Sequence, residues 1–257
     1  MTYSIIGTGN MAWFLAQRLR AGQAAILGVY GRNDDWATAL CDAYELPRHH
    51  ALTDIPDTAD HCCILAVSDQ SIATLAAALP FRHTLLLHTS GTVSINALHA
   101  ADKGVLWPIY SLNKTALPQE RNIPIAWEAG SAKAQQQIPE VAALLSDYAL
   151  QVTAAQRQQL HLTAVLGNNF INHLLSIINQ VCAEQALPAA MLQPIIAQTF
   201  LRSQQGDPAL LQTGPARRND QDTMQHHLEL LDAHPEWQEL YRSLSASIQK
   251  MYQQQQD

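Results

Sequence analysis

The sequence predicts an α/β domain built on a parallel sheet, followed by an all-α C-terminal domain, and three observations carry that prediction. A short apolar run, Tyr3-Ser4-Ile5-Ile6, leads straight into Gly7-Thr8-Gly9-Asn10-Met11-Ala12. Over residues 1–153, short apolar runs alternate with helical patterns, as expected of a parallel sheet covered on both faces. Over residues 154–257 the strand-like runs stop and long helical patterns take over.

The glycine turn sets the first βαβ unit. Gly7 permits a tight turn after the strand, and Gly9 lets the backbone approach a pyrophosphate with no Cβ in the way. Ala12 is small enough for the new helix to pack on the strand, and the N–H groups opening that helix would face the phosphates. The run Ala25-Ile26-Leu27-Gly28-Val29-Tyr30 returns where a βαβ unit should. Gly7, Gly9, Asn10, Met11 and Ala12 are therefore candidate residues for a bound dinucleotide.

A helix is expected at 35–44, and buried strands at 62–67 and 84–88 with a helix at 71–79 between them. Strands at 104–107 and 123–127, a helix at 132–148 and an extended piece at 150–152 close the first domain. Helices at 156–186, 189–205, 221–231 and 235–253 make the second, punctuated by Pro188, Pro194, Pro208, Pro215 and Pro235. The connection at 153–154 is short and is no Gly/Ser linker. The closing Gln253-Gln254-Gln255-Gln256-Asp257 reads as a fraying polar tail.

Composition narrows the function classes. A net charge of −7 without a basic block argues against nucleic acid as a partner. No apolar run approaches the roughly 20 residues of a membrane span, and the first strand begins too early to leave room for a secretory leader. The cytoplasm is the expected compartment. Cys41, Cys62, Cys63 and Cys182 lack metal or redox spacing, and the adjacent Cys62 and Cys63 are expected on opposite faces of one strand as reduced core residues. His49-His50 and His226-His227 have no carboxylate or cysteine companions at ligand spacing, so no metal site is expected.

The residue after the second strand bears on the cofactor. An NAD site places Asp or Glu there to bind the ribose 2′-hydroxyl, whereas this strand ends Tyr30-Gly31-Arg32-Asn33. Arg32 suits a 2′-phosphate and points to NADP. Asp34 and Asp35 follow closely, and a surface arginine in a loop is the alternative.

Five segments together carry a family resemblance. They are 7–12; Leu65-Ala66-Val67-Ser68-Asp69; His88-Thr89-Ser90-Gly91; His161-Leu162-Thr163-Ala164-Val165 with Asn168-Asn169-Phe170; and Gln212-Thr213-Gly214-Pro215-Ala216-Arg217-Arg218-Asn219-Asp220. The chain resembles a family of Rossmann-like proteins related to the deazaflavin-dependent NADP oxidoreductases, pyrroline-5-carboxylate reductases and β-hydroxyacid dehydrogenases. The resemblance implies an NADP-binding domain and a helical C-terminal domain that dimerises; it does not supply a substrate.

Each site candidate carries a plainer alternative. Val67 and Ser68 follow a buried strand at the end where parallel sheets hold ligands, and are expected to touch the cofactor. Asp69 is better read as an N-cap. Ser90 suits either a hydrogen bond to substrate carbonyl or nicotinamide amide, or an ordinary Ser-Gly turn. On the helix from 156, at about 100° per residue, His161, Val165, Asn168 and Asn172 form one narrow stripe. Asn169 and His173 lie on its shoulder, while Thr163, Leu166, Phe170, Ile171, Leu174 and Ile178 are expected to face the core. The stripe faces either solvent or the space above a nicotinamide.

β-Hydroxyacid dehydrogenases carry a proton-transferring lysine three residues before an Asn-Asn pair on this helix. Here the pair is Asn168-Asn169 and the lysine's place is taken by Val165. His161, one turn earlier, is the replacement acid/base, with Asn168 or Asn169 orienting substrate. Arg218 either clamps a substrate carboxylate or pairs with Asp220, which also suits the N-cap of the next helix.

The expected function is NADP-dependent oxidoreduction of a small carbonyl, imine or hydroxy compound by a homodimer paired through the helical domain. The alternative is a dinucleotide-binding sensor or regulatory protein without turnover, a reading the missing lysine keeps open. Hydride exchange with a deazaflavin lacks a basic or aromatic cluster to hold it.

Overall fold

Strand β1 (Thr2–Ile6), helix α1 (Asn10–Ala21) and strand β2 (Ala25–Tyr30) form the first βαβ unit of the computed structural model, which describes residues 1–253. The expected polar tail, beyond its first residue, lies outside the described residues. Helix α2 (Asp34–Tyr44), β3 (His61–Leu65), α3 (Asp69–Ala77), β4 (Leu85–His88), β5 (Lys103–Pro108), β6 (Ile125–Ala129), α4 (Ala132–Leu145) and β7 (Ala149–Gln151) follow. The sheet has seven strands in the order β2-β1-β3-β4-β5-β6-β7.

The first five strands in that order are parallel; β6 runs antiparallel to β5 and parallel to β7. The sheet is thus mostly parallel, as expected, with β6 the exception. An irregular loop rather than a crossover helix joins β5 to β6, and only a crossover returns a strand in parallel.

Side-chain alternation sends the strands' apolar residues to two cores. Ile5, Cys62, Ile64, Leu85 and Leu87 pack with Phe14 and Leu15 of α1, Leu40 of α2 and Ile138 of α4. Ile6, Cys63, Leu65 and Leu86 pack on the other face with Ile72 and Ala76 of α3. Cys62 and Cys63 thus point to opposite faces, and all four cysteines are buried free thiols.

A continuous helical stretch follows β7: α5 (Ala154–Ala164), a π-helical turn (Val165–Phe170) and α6 (Ile171–Glu184). Thr153 and Gln156 form a reciprocal capping box at its start, with Gln156 N–H to Thr153 Oγ1 3.2 Å and Thr153 N–H to Gln156 Oε1 2.8 Å. The uniform helix expected at 156–186 is corrected by this wide turn. Leu166 and Phe170, expected in the core, are 50% and 55% exposed.

The chain divides into two compact units, Met1–Leu175 and Ser176–Asp257. The second begins within α6 and continues through α7 (Gln193–Ser203), α8 (Pro208–Leu211), α9 (Pro215–Arg218), α10 (Gln221–Leu230) and α11 (Pro235–Gln253). Tyr252 of α11 is buried there, donating its hydroxyl to the Ala209 carbonyl while the Arg217 guanidinium sits 4.0 Å from its ring centroid. No helix among the described residues is long and apolar enough to cross a membrane.

Candidate functional site

The carboxyl ends of β1, β2 and β3 open onto a cavity of about 610 Å³. Its wall includes Gly7, Gly9, Asn10 and Met11 from the turn into α1, Arg32 and Trp36 beyond β2, and Val67 and Ser68 beyond β3. This is where the strand order switches direction, β2 lying to one side of β1 and β3 to the other, and the helices diverge to leave a crevice. Ala12 is fully buried and is not part of this wall; it packs in the core shared by α1 and the sheet.

The two glycines of the turn do different things. Gly7 has φ +131°, and a Cβ there would lie 2.1 Å from the Ala66 carbonyl oxygen, so the fold itself requires glycine. A Cβ at Gly9 would meet no protein atom within 4 Å. Gly9 is the N-cap of α1 with extended backbone and no side-chain cap, which leaves the opening N–H groups of α1 facing the cavity. The fold does not need glycine at position 9, whereas a closely approaching pyrophosphate does, and these residues fit a dinucleotide.

Arg32 is exposed and has no ion-pair partner among the described residues. Asn33 caps α2, its Oδ1 accepting from Trp36 N–H at 2.9 Å. Asp69 is not the N-cap of α3. That position falls to Ser68, whose side chain makes no capping bond, because α3 starts earlier than the apolar pattern indicates. The Asp69 carboxylate instead accepts from Thr92 Oγ1 at 2.7 Å, joining the loops that follow β3 and β4.

A second cavity, of about 680 Å³, lies within the same unit. His161, Ala164, Val165, Gly167, Asn168 and Asn169 form one wall, and Trp107, Ile109, Tyr110 and Ser111 the other. In a regular α-helix Asn168 and Asn169 would diverge by about 100°. The π turn, with more residues per turn, narrows that arc, and both asparagines line the same space as His161. Asn172 and His173, further along the expected stripe, lie outside this wall. The His161 ring packs against Trp107, with centroids 5.6 Å apart, and its Cδ2 would be 2.5 Å from a Cβ placed on Gly91.

Ser90 lines neither cavity. Its Oγ accepts from the N–H groups of Thr92 at 3.1 Å and Val93 at 3.0 Å, which closes the turn after β4. Its carbonyl accepts from Arg157 Nη1 at 3.2 Å. Arg157, with a fully buried side chain, also donates Nη2 to Glu128 Oε2 at 3.2 Å, fastening α5 to β6 and to the loop after β4. His88 is buried below, its Nδ1 accepting from Ser90 N–H at 3.2 Å. Burial, then the nearby Arg157 guanidinium, push its pKa down to about 4, so the ring is neutral. Nothing in the polar string Gln156-Arg157-Gln158-Gln159 marks Arg157 as the deepest cation of the unit.

The wall supplied by 109–111 is tied to α1. Arg18, nearly buried, donates to the Pro118 carbonyl at 3.1 Å and to those of Gln119 and Glu120. Asn10 Oδ1 accepts from Lys114 N–H at 3.0 Å. One loop therefore touches both the dinucleotide turn and the second cavity.

In the second unit Arg218 sits 3.9 Å from Asp220, and Asp220 caps α10 by accepting from Thr223 N–H at 3.1 Å. The Arg218 side chain is 64% exposed beside that carboxylate. His49 is spent on Ser4 Oγ at 2.9 Å and His227 on Tyr241 Oη at 2.8 Å. Among the described residues no three His, Cys, Asp or Glu side chains converge at metal-ligand spacing.

Residues 123–248 match the model of a family described as a domain of unknown function, DUF2520. A "putative NADP oxidoreductase" of Bacteroides fragilis is 30% identical over 97% of this chain and 98% of its own, with a TM-score of 0.87. A 1-pyrroline-5-carboxylate reductase of Streptococcus pyogenes covers 97% of this chain and 98% of its own at 16% identity and a TM-score of 0.63. An imine reductase of Aspergillus terreus covers 98% of this chain and 94% of its own at 13% identity and 0.69. The latter two share the fold. No curated protein matches the chain.

Proposed function

The chain belongs to the family of the Bacteroides fragilis protein, and from that premise we propose an NADP-dependent oxidoreductase that moves a hydride between nicotinamide and a small polar carbonyl, imine or hydroxy substrate. The observation that carries the reading is Gly9, a glycine unneeded by the fold at the mouth of a cavity that runs from the start of α1 to Arg32. NADP, when bound, supplies the hydride chemistry itself.

The chain's own residues divide the remaining tasks. The N–H groups after Gly9 hold the pyrophosphate and Arg32 the 2′-phosphate. Val67 and Ser68 line the same cavity and contact the cofactor there. In the second cavity Asn168 and Asn169 orient the substrate, and His161 gives or takes the proton at the reacting oxygen or nitrogen. Val165 adds an apolar surface where related dehydrogenases have a lysine, so proton transfer passes to His161.

A dinucleotide sensor without turnover is the second reading, favoured by Val165. The gathering of His161, Asn168 and Asn169 on one cavity wall supports catalysis instead. The working form in this reading is a cytoplasmic homodimer joined through the helical unit, where Leu187, Met191, Ile195 and Leu201 are 58–74% exposed and want covering.

Calorimetric titration with NADPH and NADH, repeated on Arg32→Ala, tests the reading. Micromolar NADPH binding, weaker NADH binding and loss of that preference in the variant are expected. No binding of either cofactor overturns it.

A further inference from the structure

We infer that Arg48 is a specificity-determining residue for the cofactor. By holding the Asp34 carboxylate it removes a negative charge that would oppose a ribose 2′-phosphate beside Arg32, an inference that rests on the NADP reading above.

The end of β2 presents a contradiction in sequence. Arg32 invites a 2′-phosphate, but Asp34 and Asp35 follow within three residues, and acids near this strand end serve the 2′-hydroxyl of NAD. The structure shows how half of that acidity is neutralised. Arg48 Nη2 donates to Asp34 Oδ1, and Arg48 Nη1 donates to Thr38 Oγ1 at 3.1 Å, one turn further along α2. The guanidinium is thus held across the first turn of the helix that starts beside the cavity.

The backbone fixes where Arg48 stands. Val29 N–H donates to the Pro47 carbonyl at 3.1 Å and His49 N–H to the Val29 carbonyl at 3.0 Å, so residues 47–49 form a short bridge along the outer edge of β2. The Arg48 side chain is 20% exposed, whereas that of Asp34 is 82% exposed and would swing freely without a partner. Arg32 keeps its own charge uncommitted. Around this end of α2, Arg32 and Arg48 balance Asp34 and Asp35; without Arg48 the balance turns negative where a dianionic phosphate must sit.

The pair contributes little to folding, because one partner is almost fully solvated. Its effect falls on the ligand, and so it separates from a structural role. Arg48→Gln is expected to weaken NADPH binding by about three- to tenfold, the size of one added, largely solvated charge near a dianionic phosphate. NADH, which has no 2′-phosphate, is expected to bind as before or slightly tighter, since the freed Asp34 can accept from its 2′-hydroxyl.

The deciding experiment is calorimetry of NADPH and NADH on the full chain, on Arg48→Gln and on the Asp34→Asn/Arg48→Gln double variant. Loss of the NADPH/NADH ratio in the single variant and its recovery in the double variant supports the proposal. An unchanged ratio in Arg48→Gln overturns it while leaving the NADP reading intact. A ratio lost in both variants also overturns it, because Arg48 would then be acting on the phosphate directly. A wild-type protein with no preference for NADPH removes the NADP reading and this proposal together.

Discussion

Arg157 and Glu128 form an ion pair, 3.2 Å from Nη2 to Oε2, with the arginine side chain fully buried and the glutamate side chain 14% exposed. Removing one partner leaves the other charge in a poorly solvated site. Glu128→Gln is expected to lower unfolding free energy by about 3 kcal/mol, measured by urea denaturation. Asp147→Asn, which breaks the exposed Arg121 pair, is expected to cost under about 1 kcal/mol.

Gly91 and His161 compete for one space, since a Cβ on the former would lie 2.5 Å from Cδ2 of the latter. Gly91→Ala is expected to displace the imidazole and lower kcat by about a hundredfold, the usual penalty for misplacing a reacting group by an ångström. NADPH affinity is expected to stay within about twofold, because neither residue lines the first cavity. His161→Gln should lose turnover similarly, and undiminished turnover there would sink its proposed role.

Gly7 and Gly9 should respond oppositely to alanine. At Gly7 the new methyl collides with the Ala66 carbonyl at a φ of +131°, and the protein is expected to lose about 3 kcal/mol or more. At Gly9 the methyl enters open space, so stability should stay within about 1 kcal/mol of wild type. NADPH affinity should nonetheless fall by about tenfold or more as a phosphate hydrogen bond is withdrawn. Paired thermal melts and calorimetry on the two variants check both halves.

Stability should fall on acidification before the carboxylates titrate. Burial, then the neighbouring His49, hold His61 at about 4; burial and Arg157 hold His88 at about 4. Both rings are neutral when folded, yet take up protons near 6.5 when unfolded. The unfolded chain therefore binds more protons between those values, and stability present above pH 6.5 is lost as pH drops toward 4. Each ring contributes about 3 kcal/mol to that fall. Urea midpoints across pH 4–7 should show the slope, and His61→Gln should reduce it.

Light scattering on the eluting protein should give twice the chain mass. Met191→Glu with Ile195→Glu, placed on residues 74% and 62% exposed, should give the single-chain mass with NADPH binding retained. An unchanged dimer would place the interface elsewhere.

The sequence by itself determined the alternation of strands and helices, the glycine turn, the placement of Arg32 and the cap at Asp220. Each of these depends on neighbours within a few residues, through backbone sterics, side-chain periodicity and local hydrogen bonds. His161, Asn168 and Asn169 were legible as one polar stripe, but the π turn that aims both asparagines at one cavity was not. Only the tertiary structure decided what depends on distant partners. It turned β6 antiparallel, left Leu166 and Phe170 exposed and buried Arg157 against Glu128, 29 residues earlier in the chain. It also joined Arg48 to Asp34. A side chain's charge is written in the sequence; whether that charge is free, paired or buried is set by which segments the sheet brings together.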